Sequence, residues 1–342
     1  MIVFTVVKKG TLEKALDYLA CPKDRGQLEL DAANSELVSD GEYRCTECGS
    51  VYEIRNGVPY FFEKANGYEW EANTKNDEIA DILGKTFEDK DLSWSKIITL
   101  PNFFLSRNLD RKKAIDYIFD TVKKAIESNG IRGQEQAFLM QAATAARYDI
   151  EVYRGTFLLP DKIISYLSAD KARKGIVVEG ACATGDCLRQ VENEVSSDFY
   201  LGLDISGSMA RNAQRNAGKN MLFVQGDICS LPLKDSVSGA YVLNNVFDRV
   251  TDPAKACKEA DRISLDAGSY FCLSNCNPLQ FEYQTDDGQK IVFVPCQNRL
   301  SLEEGMKLAG FNTAQRVEGI WKIETVAFGK EALPYIGLLG KR

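Results

Sequence analysis

Histidine is absent from all 342 residues. That excludes a histidine general base, a Ser-His-Asp triad and every histidine-ligated metal site. Any zinc must be held by sulfur or carboxylate. No apolar run is long enough to span a bilayer. The opening MIVFTVVKKG puts its apolar run before its lysines, the reverse of a secretory leader. The ten cysteines are not spread as a secreted disulfide framework, so a reduced, cytoplasmic protein is expected. Basic charge is also scarce. The 42 Lys and Arg face 49 Asp and Glu, for a net charge of −7, which argues against a nucleic-acid partner. What is present is ordinary for a globular chain: 44% hydrophobic and 27% charged residues, enough length for about two domains.

The pattern divides the chain into three parts. Residues 1–66 read as short strands, with VFTVV, QLEL and VYEI separated by the turn signals Asp40-Gly41 and Asn56-Gly57. Residues 67–168 read as helical. Ala114, Ile115, Ile118, Val122, Ala125 and Ile126 fall at helical spacing, and further helices are expected over 134–146 and 161–167. From residue 169 onward, strand-like runs (GIVVEG, FYLGLDIS, MLFVQGD, GAYVLNN, SYFCLS) alternate with helical stretches, as in a parallel α/β sheet.

Cys45 and Cys48 form a C-x-x-C turn, and Cys21 opens CPKD upstream. Such a turn aims two thiolates at one point, a common zinc arrangement. A full zinc ribbon would carry a further cysteine at position 24, where this chain has Asp24. Carboxylate is an allowed zinc ligand, so two readings stand: a structural zinc on Cys21, Asp24, Cys45 and Cys48, or a metal-free ribbon held by its apolar core. LACPKDRGQLEL, YRCTECGSVYEI and RNGVPYFF together resemble the small zinc-ribbon activator protein of tRNA and translation-factor methyltransferases. The resemblance covers about the first 65 residues. Residues 1–66 hold eight bases against eleven acids, which weakens a nucleic-acid role for this part.

IVVEGACATGD reads as a strand, a tight small-residue turn and a helix start, which lets backbone N–H groups approach a ligand. Asp204 ends the next strand, 19 residues after Gly185, the spacing of an acid that holds ribose hydroxyls. Asp227 ends the strand after that. A nicotinamide-binding G-x-G-x-x-G would need glycine where Leu188 stands. Turn, ribose acid and third acid, with LNNVFDRVTDP, ADRISLDAGSYFCLS and EEGMKLAGF, resemble the class I S-adenosylmethionine-dependent methyltransferases of the type 11 group over about residues 140–342. The resemblance implies a Rossmann-like sheet with helices on both faces, joined to the β-rich zinc-ribbon-like domain and the helical insert. It implies that S-adenosylmethionine lies along Glu179, Gly180, Ala181 and Gly185, with Asp204 and Ile205 at ribose and Asp227 and Ile228 at adenine. Asn244 or Asn245 would lie beneath the sulfonium. Two glycines of the family's turn are Ala181 and Ala183 here, a change expected to be tolerated only where φ is negative.

An acceptor hydroxyl or carbon acid would need a base, and without histidine the candidates are Tyr148, Asp149, Tyr153 and Asp248. The helical insert, anchored by Trp70, Trp94, Phe103 and Phe104, is expected to wall the acceptor pocket, the alternative being a plain bridge between domains. The sequence thus points to methyl transfer onto a small-molecule acceptor. The alternatives are a non-catalytic scaffold that kept the fold, and an RNA or protein methyltransferase with a built-in activator ribbon.

Overall fold

The structure is a computed structural model. It describes residues 6–61, 158–170, 174–205, 207–247, 250, 252–276, 281–284, 290–293, 300–325 and 329–342, and single helical or turn positions between 120 and 130. Residues 1–62, 157–323 and 332–342 form one compact unit; 63–156 and 324–331 form a second. The insert's expected helices over 114–126 and 134–146, and Trp70, Trp94, Phe103 and Phe104, lie almost wholly outside the described residues.

The first unit is built on seven strands. They are β7 (Ile176–Gly180), β8 (Tyr200–Asp204), β9 (Met221–Gln225), β10 (Ser238–Asn244), β11 (Tyr270–Cys276), β14 (Thr313–Thr325) and β15 (Gly329–Lys341), in the order β14-β15-β11-β10-β7-β8-β9. β9, β8, β7, β10 and β11 run parallel, and β15 pairs antiparallel with β11. The five parallel strands are the five apolar runs of the sequence. The four whose burial is described throughout are buried at every position, as strands covered on both faces must be. The chain crosses between them through α3 (Asp186–Glu194), α4 (Gly207–Gln214) and α5 (Pro253–Ile263), with α2 (Asp161–Leu167) before the sheet and α6 (Leu302–Leu308) after β11. Side-chain alternation splits the core in two. Val177, Val242 and Cys272 pack with Ile163, Leu188 and Val191 on one face, while Val178, Leu243 and Leu273 pack with Ala260, Ile263 and Met306 on the other. A separate hairpin pairs β12 (Phe281–Gln284) with β13 (Lys290–Phe293). Among the described residues, no helix is long and apolar enough to cross a membrane.

The N-terminal region is a small β-rich body. β2 (Leu28–Ala32), β4 (Gly41–Cys45), β5 (Val51–Arg55) and β6 (Val58–Pro59) form an antiparallel sheet in sequence order, and β1 (Val7–Lys8) pairs with β3 (Leu37–Val38). Asn56 and Gly57, with φ of 50° and 71°, make the tight hairpin turn that this dipeptide favours. One element differs from the expectation of strands alone: Lys9–Ala15 forms a helix, α1, which buries Leu12 and Ala15. Its pattern is only two turns long, too short for periodicity to separate it from its strand-rich surroundings.

This body covers the open edge of the large sheet. Tyr60 bridges Gln225 in parallel, and the Phe61 N–H donates to the Gln225 carbonyl at 2.8 Å. Leu19 bridges Leu233, and Tyr18 stacks on Phe199 at 5.7 Å. Leu12, Leu19, Tyr43, Tyr52 and Phe61 join the same core cluster as Leu203 and Val224. An uncovered β9 would present unpaired backbone groups.

Candidate functional site

The site forms where β7, β8, β9 and β10 end. In an open parallel sheet, the strand ends on either side of the point where chain order reverses leave a crevice for ligands. Here β7 lies between β8 and β10, so Glu179 and Gly180 stand at that crevice.

Glu179 is 3% exposed, and its Oε2 accepts from the Leu188 N–H at 2.9 Å. Burial pushes its carboxyl up to about 8, only partly offset by the Cys187 thiol and the Leu188 N–H. Gly180 ends β7. A Cβ there would lie 2.6 Å from the Tyr241 hydroxyl and from Leu243 Cδ2, so only glycine leaves room for that tyrosine. Gly185 caps α3 with φ of 75°, and its Cα faces the Phe223 ring.

The turn between them corrects one expectation. Ala181 and Ala183 do not sit at negative φ; their φ values are 54° and 47°. The loop therefore keeps a path that suits glycine although two side chains oppose it. What holds it is visible nearby. The Cys182 N–H donates to the Leu203 carbonyl at 3.0 Å, the Ala183 N–H donates to Asp204 Oδ2 at 2.8 Å, and the Gly185 N–H donates to the Cys182 carbonyl at 2.7 Å. Left-handed alanine costs about 1–2 kcal/mol, and an added glycine loses about 0.5–1 kcal/mol to the flexible unfolded chain. Ala181→Gly and Ala183→Gly are each expected to raise stability by about 0.5–1 kcal/mol in urea unfolding. A loss of stability in both variants would contradict the assignment of strain.

Asp204 ends β8 and is 8% exposed. The next residue, Ile205, offers its carbonyl to Gln225 Nε2 at 3.0 Å, which ties the end of β8 to the end of β9. Tyr60 closes this corner: its ring lies against Gly207, and its hydroxyl accepts from Arg211 Nη1 at 3.3 Å. Asp227 follows β9 and turns back on itself, Oδ1 accepting from the Cys229 N–H at 2.8 Å, while Ile228 is buried beside Gly180. Asn244 is 9% exposed, and its amide is used inside the protein. Nδ2 donates to Cys187 Sγ at 3.2 Å, and Oδ1 accepts from Ser274 Oγ at 2.9 Å and from Tyr335 Oη at 3.5 Å. Asn245 is half-buried with φ of 53°, and its N–H donates to the Ser274 carbonyl at 3.0 Å. Tyr148, Asp149, Tyr153 and Asp248 lie outside the described residues.

Cys187, Gln225, Ser274 and Tyr335 are the site's unforeseen members. Tyr335 enters from β15, 91 residues from Asn244, and no spacing rule connects them. The donor set nevertheless suits an adenosyl ligand. Three acids stand at the ends of adjacent strands, and a small-residue turn leads into a helix N-terminus.

A second cluster lies in the N-terminal body. Cys21, Asp24, Cys45 and Cys48 bring their ligand atoms within 4.8 Å of one another. Tetrahedral zinc with Zn–S of about 2.3 Å and Zn–O of about 2.0 Å sets neighbouring sulfurs about 3.8 Å apart and sulfur and oxygen about 3.5 Å apart. Cys21 and Cys48 sulfurs are 3.7 Å apart, and Cys45 Sγ lies 3.4 Å from Asp24 Oδ1. The cluster therefore fits a zinc ion. Tyr52 Oη is 3.0 Å from Cys21 Sγ and would fix that sulfur's orientation.

Comparison with known proteins gives three results. A family profile described as a methyltransferase domain matches residues 178–272. A demethylmenaquinone methyltransferase of Roseiflexus castenholzii is 29% identical over 107 residues, 31% of this chain and 45% of that protein. This chain thus spans less than half the length of the curated methyltransferases it matches. A UPF0434 protein of Pseudomonas entomophila is 42% identical over 65 residues, 19% of this chain and 87% of that protein. Among solved structures, a complex of the Haloferax volcanii Trm112 methyltransferase activator with a methyltransferase covers 52% of this chain and 86% of that one. It does so at 18% identity and a TM-score of 0.36. The sequence matches lead to one assignment: the chain carries an N-terminal domain of the UPF0434 family, and its residues 178–272 match a methyltransferase domain.

Proposed function

We propose that this protein transfers a methyl group from S-adenosylmethionine to a small-molecule acceptor by direct displacement. The observation that carries the reading is the placement of Glu179, Asp204 and Asp227 at the ends of three adjacent parallel strands, around the turn from Gly180 to Gly185. The cofactor supplies an already activated methyl group. The chain's residues bind and orient it: Asp204 at the ribose hydroxyls, Asp227 and Ile228 at the adenine edge, and Glu179 toward the methionine amino group. Asn244 or Asn245 would lie at the methyl-bearing end, the Asn244 amide also holding Cys187, Ser274 and Tyr335. Alignment and exclusion of water then account for most of the work. A demethylmenaquinone methyltransferase among the relatives supports a small acceptor.

Asp204→Ala is expected to weaken S-adenosylhomocysteine binding by about 1.5–3 kcal/mol, roughly tenfold to a hundredfold, as for a lost bond to a charged group. Calorimetric titration checks this, and unchanged affinity would refute the ribose assignment.

The N-terminal body would serve as a built-in brace. Its segment Val58–Phe61 runs along β9, and Tyr60 packs at the turn that follows Asp204. A structural zinc held by Cys21, Asp24, Cys45 and Cys48 would fix the fold of that body. Purified protein is expected to contain about one zinc per chain, bound with sulfur at about 2.3 Å, and Cys45→Ser should lose it. Elemental analysis and X-ray absorption measure both, and zinc-free fresh protein would reject the site.

A further inference from the structure

The N-terminal cluster brings together three sulfurs and one carboxylate, and the three sulfurs are not equivalent. Among the cysteines whose burial is described, Cys48 alone is exposed, while Cys21 and Cys45 are buried. The Cys21 sulfur lies 3.7 Å from that of Cys48. Cys45 Sγ has the carboxylate against it, 3.4 Å from Asp24 Oδ1 and 3.7 Å from Oδ2. It is also closed in from the Gly26 side, where a Cβ would come within 2.8 Å of it. One exposed sulfur therefore has a buried sulfur beside it, and the third sulfur is turned to an oxygen.

A disulfide and a zinc ion make incompatible demands on Cys21 and Cys48. Two sulfurs on one tetrahedral zinc stand about 3.8 Å apart, whereas a disulfide draws them to about 2.05 Å and removes the thiolates that bind metal. Bridging would leave only Cys45 and Asp24 for an ion that takes four ligands in structural sites. The knuckle around Cys21 also holds the segment that follows Asp227. The Ala20 N–H donates to the Pro232 carbonyl at 3.1 Å, Ser230 Oγ donates to the Pro22 carbonyl at 3.1 Å, and the Lys234 N–H donates to the Tyr18 carbonyl at 2.9 Å. The knuckle is closed by the Cys21 N–H on the Gly26 carbonyl at 3.0 Å and by the Arg25 N–H on the Cys21 carbonyl at 2.9 Å. A shift of Cys21 is therefore passed to residues 230–234.

We propose that this cluster is an oxidation-sensitive switch: a peroxide joins Cys21 to Cys48 as a disulfide, the bridge expels the ion, and the knuckle slackens its hold on residues 230–234. The inference rests on the zinc reading above. The exposed Cys48 thiolate attacks one peroxide oxygen, the O–O bond breaks and hydroxide leaves, giving a sulfenic acid. Cys21 then attacks the Cys48 sulfur; the S–S bond forms, the S–O bond breaks and the oxygen departs as a second hydroxide. Two electrons pass from the sulfur pair to the peroxide, and the two hydroxides take protons from solvent to become water. Asp24 cannot enter a second bridge, so the reaction stops at one bond, which dithiol exchange reverses.

The test treats the zinc-bearing full chain with hydrogen peroxide. It follows zinc captured by a chromogenic chelator, the linked peptides by mass spectrometry, and hydrogen exchange at the Ala20 and Lys234 amides. A Cys21–Cys48 bridge is expected, with about one zinc freed per bridge and exchange at least about fivefold faster at both amides. A dithiol reductant with added zinc should restore all three readings. Cys48→Ser should lose zinc to peroxide at least about tenfold more slowly, because the accessible sulfur is gone. Peptide mapping of the unaltered protein decides the pairing even if that variant holds zinc poorly. A Cys45–Cys48 bridge, no bridge, a bridge with zinc retained, or unchanged exchange overturns the inference alone. Freshly purified protein without zinc overturns the zinc reading, and the inference with it.

Discussion

Glu259→Ala is expected to cost about 3–5 kcal/mol of stability, the loss typical of a buried charge network deprived of one member. Glu259 is 8% exposed and stands between the two parts of the first unit. From the N-terminal body, Arg25 Nη2 reaches both of its oxygens at 3.1 Å. From its own helix, Arg262 donates Nε and Nη2, each at 2.8 Å, and the Leu231 N–H adds a fifth bond at 2.8 Å. Removing the carboxylate leaves the Leu231 N–H unpaired and takes from both guanidinium groups their shared partner, although Arg25 Nη1 still holds the Leu231 carbonyl at 2.6 Å and Arg262 Nη1 still holds Asp235 and the Leu233 carbonyl, each at 2.7 Å. Arg25 is one-third exposed, so solvent screens much of its share, and Arg25→Ala alone is expected to cost only about 1 kcal/mol. Glu259→Gln keeps an acceptor for Leu231 and should fall between the two. At roughly 2–4 °C per kcal/mol, the alanine variant should melt about 6–20 °C lower. Thermal and urea unfolding measure this, and a loss below about 1 kcal/mol would mean that the network does not hold the two parts together.

What could be read from the sequence follows from the range of each signal. The five parallel strands were visible because two-sided burial writes continuous apolar runs such as IVVEG and MLFVQ. The place of Asp204 at the end of β8 is legible because a βαβ unit fixes its distance from the turn. The Asn56-Gly57 hairpin was found because that dipeptide adopts positive φ readily. Long-range features carried no such mark. Nothing in RNGVPYFF shows that Tyr60 and Phe61 pair with Gln225, because an edge strand recruits its partner through backbone groups that every residue has. Arg25 and Glu259 lie 234 positions apart, and no local periodicity connects them. The two alanines misled in a different way. Residue type suggests a preferred φ, but the bonds from Cys182 to Leu203 and from Ala183 to Asp204 impose another. The Gly180–Tyr241 pair is a packing exchange: a glycine on one strand makes room for a hydroxyl from its neighbour, and only the pairing of β7 with β10 reveals it.

Gly185→Ala is expected to be the most damaging single change in the cofactor loop, costing more than about 3 kcal/mol and abolishing measurable S-adenosylhomocysteine binding. Two effects combine. With φ at 75°, any side chain at 185 is strained by about 1–2 kcal/mol, as at Ala181 and Ala183. Unlike those two positions, 185 has no space: its Cβ would overlap the Phe223 ring and approach Ala213 Cβ to 3.1 Å. Phe223 cannot withdraw, because it is fully buried and Gly202 of β8 presses on the same ring from another side. The loop or the ring must therefore move, and either shift displaces the turn between Glu179 and Asp204. The two contributions can be separated. Phe223→Leu alone should cost about 1–3 kcal/mol through the cavity it leaves. In the double variant the methyl at 185 partly fills that cavity. Gly185→Ala with Phe223→Leu should then be more stable than the sum of the single losses by at least about 1 kcal/mol, a coupling expected of residues in contact. Urea unfolding of the four proteins gives the coupling directly. Strict additivity would show that the ring does not set the requirement for glycine and that backbone strain alone accounts for it.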